Sequence, residues 1–170
     1  FMGVEVTGKT LGIIGCGNIG SIVADRAQGL KMKVIAFDPF LSAERAVEIG
    51  VEKVELDDLL ARADVITLHT PLTDKTRNIL SAETLAKTKK GVRIVNCARG
   101  GLVDEAALKD GLDSGHVAGA ALDVFEDEPR VPAALQASPR SVLTPHMASA
   151  TRETRQAMAD LVLANLDALL

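Results

Sequence analysis

The feature that most constrains the fold is a glycine-rich turn, GCGNIG at residues 15–20, between two apolar segments of different period. Residues 11–14 form an apolar run of strand length, and the spacing of apolar side chains over residues 18–30 predicts a helix. In such a strand–turn–helix unit Gly15 permits the tight turn, Gly17 lets the backbone approach a pyrophosphate, and Gly20 lets the helix pack on the strand. Unpaired N–H groups at the helix start attract the anion. The turn therefore predicts a dinucleotide-binding unit.

The same alternation of short apolar runs and helical patterns continues along the whole chain. The strands that we predict are residues 11–14, 33–37, 65–69, 92–96, 117–122 and 142–144. The predicted helices are residues 18–30, 42–50, 56–62, 81–87, 104–114 and 151–170, and residues 126–140 are predicted to be irregular. Strands that are apolar almost throughout are typical of a parallel sheet buried on both faces. We predict a doubly wound α/β parallel sheet, a Rossmann fold, of about six strands in a single domain over residues 1–170.

Composition excludes several classes of partner. The chain has 170 residues, of which 47% are hydrophobic and 25% charged, the balance of an ordinary globular protein. The net charge of −4 and the lack of a dense Lys/Arg run argue against nucleic acid. No apolar stretch is long enough to cross a bilayer. Only two cysteines occur, without the spacing of a metal site or disulfide framework. We expect a cytoplasmic protein with no nucleic-acid, membrane or metal partner.

Asp38 indicates which dinucleotide is bound. It directly follows the second predicted strand, 18 residues beyond Gly20, where an acidic residue accepts hydrogen bonds from the ribose hydroxyls of NAD. A carboxylate there repels a 2′-phosphate, and no Arg or Lys follows closely. NAD is therefore favoured over NADP. The alternative is that Asp38 is a turn residue in front of Pro39.

Several later motifs resemble the D-isomer-specific 2-hydroxyacid dehydrogenase family. They are VNCARGGLVDE at residues 95–105, GAALDVF at 119–125, EP at 128–129 and TPH at 144–146. The likeness covers nearly the whole chain. Within the family most motifs are similar to the phosphoglycerate dehydrogenase branch, whereas PHMASATRETR at residues 145–155 is closer to the glyoxylate and hydroxypyruvate reductase branch. A third possibility is a non-catalytic NAD-sensing module such as the corepressors that share this fold.

The resemblance implies an NAD-dependent enzyme that moves a hydride between NAD and a small D-2-hydroxy or 2-oxo acid. It assigns the grip on the substrate carboxylate and carbonyl to Arg99, acid/base catalysis to His146, and pairing with that histidine to Glu128. The cofactor-binding residues predicted from the glycine turn, Asp38 and the resemblance are Gly15, Gly17, Asn18, Ile19, Gly20, Asp38, Thr70, Cys97, Ala98, Arg99, Asp123, His146 and Ala148.

The predicted positions of these residues agree with that assignment. Arg99, Asp123, Glu128 and His146 follow the carboxyl ends of the fourth, fifth and sixth predicted strands, where the ligand crevice of an open α/β sheet lies. Imidazole has a pKa near neutrality for taking the hydroxyl proton, a carboxylate fixes its tautomer, and a guanidinium offers a planar fork to a carboxylate. Each residue alone has a plainer interpretation as a turn histidine, a surface ion-pair partner or a solvated acid.

Three further expectations concern the surroundings of the site. Members of the family carry a substrate-binding domain built from chain on both sides of the cofactor domain, and we expect it to be absent from residues 1–170. We also expect a homodimer through this domain, with residues 151–170 and 102–114 as candidate surfaces. His69 and His116 are predicted to be structural. The first and fourth predicted strands are expected to be neighbours, which would bring Cys16 and Cys97 together at the crevice.

Overall fold

The centre of the fold is one parallel sheet of seven strands with helices between them. A computed structural model describes residues 3–169. The strands are β1 (Thr10–Ile14), β2 (Lys33–Phe37), β3 (Glu52–Lys53), β4 (Val65–Leu68), β5 (Val92–Asn96), β6 (Val117–Leu122) and β7 (Ser141–Leu143). The helices are α1 (Asn18–Gly29), α2 (Ala43–Glu48), α3 (Leu56–Arg62), α4 (Ala82–Ala86), α5 (Glu105–Ser114), α6 (Ala133–Gln136) and α7 (Arg152–Asp167).

The order of the strands creates a crevice at the middle of the sheet. The order is β3-β2-β1-β4-β5-β6-β7, and every neighbouring pair is parallel. The chain runs outward from β1 to β3, then crosses back to begin β4 on the other side of β1. Loops after β1 and β4 therefore leave the sheet in opposite directions, and ligands of such folds bind at that point. The predicted doubly wound α/β fold is confirmed.

Both faces of the sheet near β1 are buried. Leu11 and Ile13 belong to the cluster that includes Ala24 and Ala27 of α1, whereas Ile14 belongs to the cluster of α3, α4 and α5. Successive side chains of a strand point to opposite faces, so these apolar runs must be covered on both sides. Helix α3 packs closely against β1, because a Cβ on Gly12 would lie 2.7 Å from Cδ2 of Leu59.

The predicted elements differ from the observed ones mainly at their ends. Helix α5 begins after Asp104, whose Oδ1 accepts the N–H groups of Ala106 and Ala107 at 3.0 Å, and ends at Gly115 with φ of +74°. Strand β7 begins one residue earlier than predicted. Two elements were not predicted, the short edge strand β3 and the single-turn helix α6 within residues 126–140. Both residues of β3 are charged and exposed, so no apolar run marks it.

Helix α7 stands apart from the packed layers. It covers most of the predicted helix 151–170, of which Leu170 lies outside the described residues. No side chain between Arg152 and Asp167 is buried. The large apolar side chains exposed along this segment and just after it are Met158, Leu161, Val162, Leu163, Leu166 and Leu169. Within residues 3–169 no helix combines the length and apolar character needed to cross a membrane.

Candidate functional site

The glycine turn follows β1 and leaves the start of α1 open. Gly15 has φ of +90°, and a Cβ there would lie 2.7 Å from the carbonyl carbon of His69, so this position requires glycine. A Cβ on Gly20 would lie 2.2 Å from the carbonyl oxygen of Gly15. A Cβ on Gly17 would have no heavy atom within 4 Å, and Gly17 precedes α1 without offering a side-chain cap. An anion can therefore approach the first N–H groups of the helix.

Asp38 lies against this turn. Its Oδ2 accepts the N–H of Cys16 at 2.8 Å, and its Oδ1 accepts the N–H of Phe40 at 2.8 Å. The second bond is a local turn contact, so the plainer interpretation of Asp38 also holds in part. A carboxylate has about four acceptor positions, which leaves room for the hydroxyls of a ribose.

A cavity of about 600 Å³ opens at the carboxyl edge of the sheet beside the glycine turn. Its volume is within the range of small-molecule sites, about 300–1,000 Å³. Among the predicted site residues, its lining includes Ile19, Thr70, Cys97, Ala98, Arg99, His146 and Ala148. His69, Pro71 and Ser149 complete the lining and were not predicted as site residues. The loops after β4, β5 and β7 thus meet at one cavity.

His146, which lines this cavity, is hydrogen-bonded to Glu128. Nδ1 of His146 lies 2.8 Å from Oε2 of Glu128, and Oε1 of Glu128 accepts the N–H of Phe125 at 3.0 Å. The hydrogen bond from His146, followed by that from Phe125, holds the pKa of Glu128 below its ordinary value. The ionised carboxylate only accepts hydrogen bonds, so Nδ1 carries the proton and Nε2 is left free.

Asp123 follows β6 and is only 3% exposed. Its Oδ1 accepts the hydroxyl of Thr144 at 2.6 Å and the N–H of Met147 at 2.8 Å, and its Oδ2 accepts the N–H of Ala148 at 2.8 Å. Burial raises the pKa of Asp123, but these three hydrogen bonds outweigh burial and leave that pKa lowered. Asp123 is not part of the cavity lining.

A known family matches most of this chain. The model of the family described as "D-isomer specific 2-hydroxyacid dehydrogenase, NAD binding domain" matches residues 1–148. The chain belongs to this family. Curated proteins similar to it include D-3-phosphoglycerate dehydrogenase of Bacillus subtilis, 55% identical over 155 residues, and that of Archaeoglobus fulgidus, 51% identical over 156 residues. Each match covers 91% of this chain and 30% of the relative, so the chain spans less than a third of their length.

Solved structures agree with the family and the fold. A glyoxylate reductase from Paecilomyes thermophila superposes with a TM-score of 0.92 at 45% identity, over 98% of this chain and 51% of that one. A D-lactate dehydrogenase with NAD+ from Lactobacillus jensenii has a TM-score of 0.90 at 35% identity, over 99% of this chain and 54% of that one. The predicted family and NAD as its cofactor are thereby confirmed.

The turn that carries Arg99 is held by Asn96, a residue that the sequence analysis did not single out. Asn96 is buried, its Nδ2 donates to the carbonyl of Arg99 at 2.9 Å, and its Oδ1 accepts the N–H of Ala98 at 3.0 Å. A Cβ on Gly100 would lie 1.9 Å from the carbonyl oxygen of Phe125, so this turn lies directly against the segment that carries Glu128. An amide at the end of a largely apolar strand was the available signal.

His69 was predicted to be structural, and its half-buried ring bonds to Thr67, whose Oγ1 lies 3.0 Å from Nε2. His69 also lines the cavity. Burial lowers the pKa of His69, which keeps the ring neutral near pH 7. The interpretation of His116 as structural agrees with its bonds to Thr88 Oγ1 at 2.9 Å and to the carbonyl of Leu85 at 3.0 Å.

The expectation that Cys16 and Cys97 follow neighbouring strands is wrong. β1 and β5 are not neighbours, because β4 lies between them. Cys16 is buried in the core on the α1 side, whereas Cys97 is exposed and lines the cavity. Over residues 3–169 no group of three or more His, Cys, Asp or Glu side chains could hold a metal ion.

Proposed function

We propose that this chain is the cofactor-binding part of an NAD-dependent enzyme that transfers a hydride between NAD and a D-2-hydroxy acid. The observation that carries the proposal is the 2.8 Å pair of His146 and Glu128 at the cavity that Arg99 also lines. An acid/base, its orienting carboxylate and a guanidinium are the groups that this reaction needs. The cavity that His146 and Arg99 share adjoins the glycine turn of an NAD-binding domain.

The residues around the crevice suit NAD. The N–H groups of Asn18, Ile19 and Gly20 would hold the pyrophosphate, with Gly15 and Gly17 shaping the turn in front of them. Asp38 would accept the adenosine ribose hydroxyls. Thr70 would border the adenosine half of the cofactor, and the cavity residues Cys97, Ala98 and Ala148 the nicotinamide half. The bound nicotinamide supplies the hydride acceptor.

His146 handles the proton. In the oxidation direction Nε2 of His146 would take the proton from the 2-hydroxyl group. The hydride would leave C2, the carbon that bears this hydroxyl, for the nicotinamide, so that the alcohol becomes a carbonyl. The ring then carries a positive charge, which Glu128 stabilises through Nδ1 at 2.8 Å. In the reverse direction the imidazolium returns the proton.

Arg99 would bind the substrate carboxylate. Arg99 is exposed and lines the cavity, and its Nη1 donates to the carbonyl of Ala98 at 2.6 Å. Within residues 3–169 it forms no ion pair with an acidic side chain. A planar fork that is free of a protein carboxylate can bind one on the substrate.

We propose 3-phosphoglycerate as the substrate, in serine biosynthesis. The names of the curated relatives at 55% and 51% identity support it. A glyoxylate or hydroxypyruvate substrate is the second candidate, supported by the 45% identity to a glyoxylate reductase and by the sequence after His146. A non-catalytic NAD-sensing role is the third, since such corepressors keep this fold.

Steady-state kinetics of the full-length protein discriminate among these candidates. With NAD and 3-phosphoglycerate we expect kcat/KM at least about 10-fold above that for glyoxylate or hydroxypyruvate with NADH, a difference of about 1.4 kcal/mol. The reverse ranking would assign the protein to the reductase branch. Saturable NADH binding without turnover of any of the three acids would favour the NAD-sensing role.

Residues 1–170 form the NAD-binding domain in this proposal. A separate substrate-binding domain closes over the cavity, and the enzyme is cytoplasmic.

We also propose a homodimer through this domain. The apolar side chains exposed on and beside α7 and the region 102–114 are the candidate surfaces. Light scattering is expected to give a dimer mass, and L161E/L166E on α7 is expected to lower it. A monomer mass for the unaltered protein at high concentration would contradict the dimer.

A further inference from the structure

We infer that Glu105 is a positioning residue, which ties the segment 125–128, with Glu128 at its end, to the loop that carries Arg99. The inference rests on the proposed function, which gives Glu128 and Arg99 their roles. Glu105 does not line the cavity, so it acts on the reaction through these neighbours.

Glu105 stands where the loops after β5 and β6 meet. It is the first residue of α5, shortly after Arg99, and its side chain is half-buried. Its Oε1 accepts the N–H of Glu126 in the neighbouring loop at 2.9 Å. The same two loops touch at Gly100, where a Cβ would lie 1.9 Å from the carbonyl oxygen of Phe125. The hydrogen bond of Glu105 thus joins the two loops beside a contact that has no room for a side chain.

The position of Glu126 affects the pair that handles the proton. The N–H of Phe125 donates to Oε1 of Glu128 at 3.0 Å, and Oε2 of Glu128 lies 2.8 Å from Nδ1 of His146. The segment is therefore one turn that is anchored at Glu126 and presents the Glu128 carboxylate to His146. Its tie to the loop of Arg99 fixes the distance between the group that binds the substrate carboxylate and the group that takes the proton. A misplacement of about 1 Å in such a site can cost about 100-fold in rate.

A second contact reaches Glu126 from the loop after β4. Nη1 of Arg77 lies 3.3 Å from Oε1 of Glu126, and a Cβ on Gly101 would lie 3.3 Å from the same nitrogen. Both partners of this ion pair are about half exposed, so its contribution is at most about 1 kcal/mol. The main role therefore belongs to Glu105, and Arg77 supports it.

The electrostatics of Glu105 separate its role from a contribution to stability. Burial raises the pKa of Glu105, the N–H of Glu126 opposes this rise, and the carboxylates of Glu126, Asp104 and Asp127 add to it. A carboxyl group whose pKa is higher in the folded than in the unfolded state destabilises the fold at pH values above both, where it must be ionised. We therefore expect E105Q, which loses the charge but keeps an oxygen acceptor, to have a Tm at pH 7 no lower than that of the unaltered protein.

Carboxyl-carbon NMR of the ligand-free protein tests the inference through the pKa of Glu128, which the hydrogen bond from His146 keeps low. In E105A we expect that pKa to rise toward its ordinary value, because the turn no longer holds the carboxylate against His146. The amide proton of Glu126 should shift upfield in the same variant, and E105Q should restore most of both signals. In the full-length enzyme E105A should lower kcat about 10-fold, with NADH affinity within about twofold of the unaltered enzyme.

E83A is the matched control. Glu83 lies in the first turn of α4 as Glu105 does in α5, but its side chain is largely exposed. E83A therefore removes the same kind of charge from a helix start and should leave the pKa of Glu128 and kcat unchanged. R77A should raise the pKa of Glu128 by less than E105A does.

Two results would overturn the inference. One is an unchanged pKa of Glu128 in E105A. The other is an E105Q protein that behaves like E105A, because the hydrogen bond to Glu126 would then not be the cause. Failure of the proposed function would appear separately, as full turnover by H146Q.

Discussion

Replacing His146 with glutamine is expected to lower kcat on the order of 1,000-fold while NADH still binds. General acid–base catalysis contributes about 10²–10⁴-fold, and glutamine has no proton of suitable pKa to exchange with the substrate hydroxyl. Glutamine nevertheless retains a hydrogen bond donor for Glu128, whose carboxylate lies 2.8 Å from Nδ1. The measurement is kcat in the full-length enzyme, together with NADH titration by its own fluorescence.

H116Q is the matched control for this result. His116 lies just before β6, at the amino edge of the sheet, and its ring bonds to Thr88 and to the carbonyl of Leu85. We therefore expect kcat of H116Q to stay within about twofold of the unaltered enzyme, the usual outcome when no transition-state contact is removed. If H146Q kept more than a tenth of the activity, His146 would not be the acid/base.

Replacing Gly17 with valine is expected to weaken NADH binding about 100-fold or more, which corresponds to about 2.7 kcal/mol. A Cβ at Gly17 would meet no heavy atom within 4 Å in the ligand-free protein, so the fold accommodates the side chain. The same open space is where the pyrophosphate must approach the start of α1, and the valine methyl groups would fill it. NADH fluorescence follows the binding well, because the chain contains no Trp or Tyr.

G29V and G20A separate a local effect from a loss of fold. Gly29, at the end of α1, also has open space at its Cβ position, so G29V should bind NADH normally with a similar Tm. G20A should lower Tm, because its Cβ would lie 2.2 Å from the carbonyl oxygen of Gly15. Normal NADH affinity in G17V would exclude the glycine turn as the pyrophosphate site.

Features that depend on near neighbours in the chain were predictable. The glycine turn needs only a strand, three glycines at fixed spacing and a helix, and all of these lie within residues 10–29. The ends of α5 follow from Asp104 and Gly115 in the same way. The carboxyl ends of parallel strands share one edge, so the sequence also predicted that Arg99 and His146 would meet. The cavity lining includes both.

Features that depend on which strands are adjacent could not be predicted from the sequence. The sequence by itself determined the doubly wound α/β fold, the NAD turn and the family, because these follow from local period and motif. Only the tertiary structure separated Cys16 from Cys97, because β4 inserts between their strands. It also brought His69 to the cavity and turned the Asp123 carboxylate toward the loop of His146. These contacts join residues that are far apart in the chain, so they depend on the order of the strands and on the backbone dihedral angles.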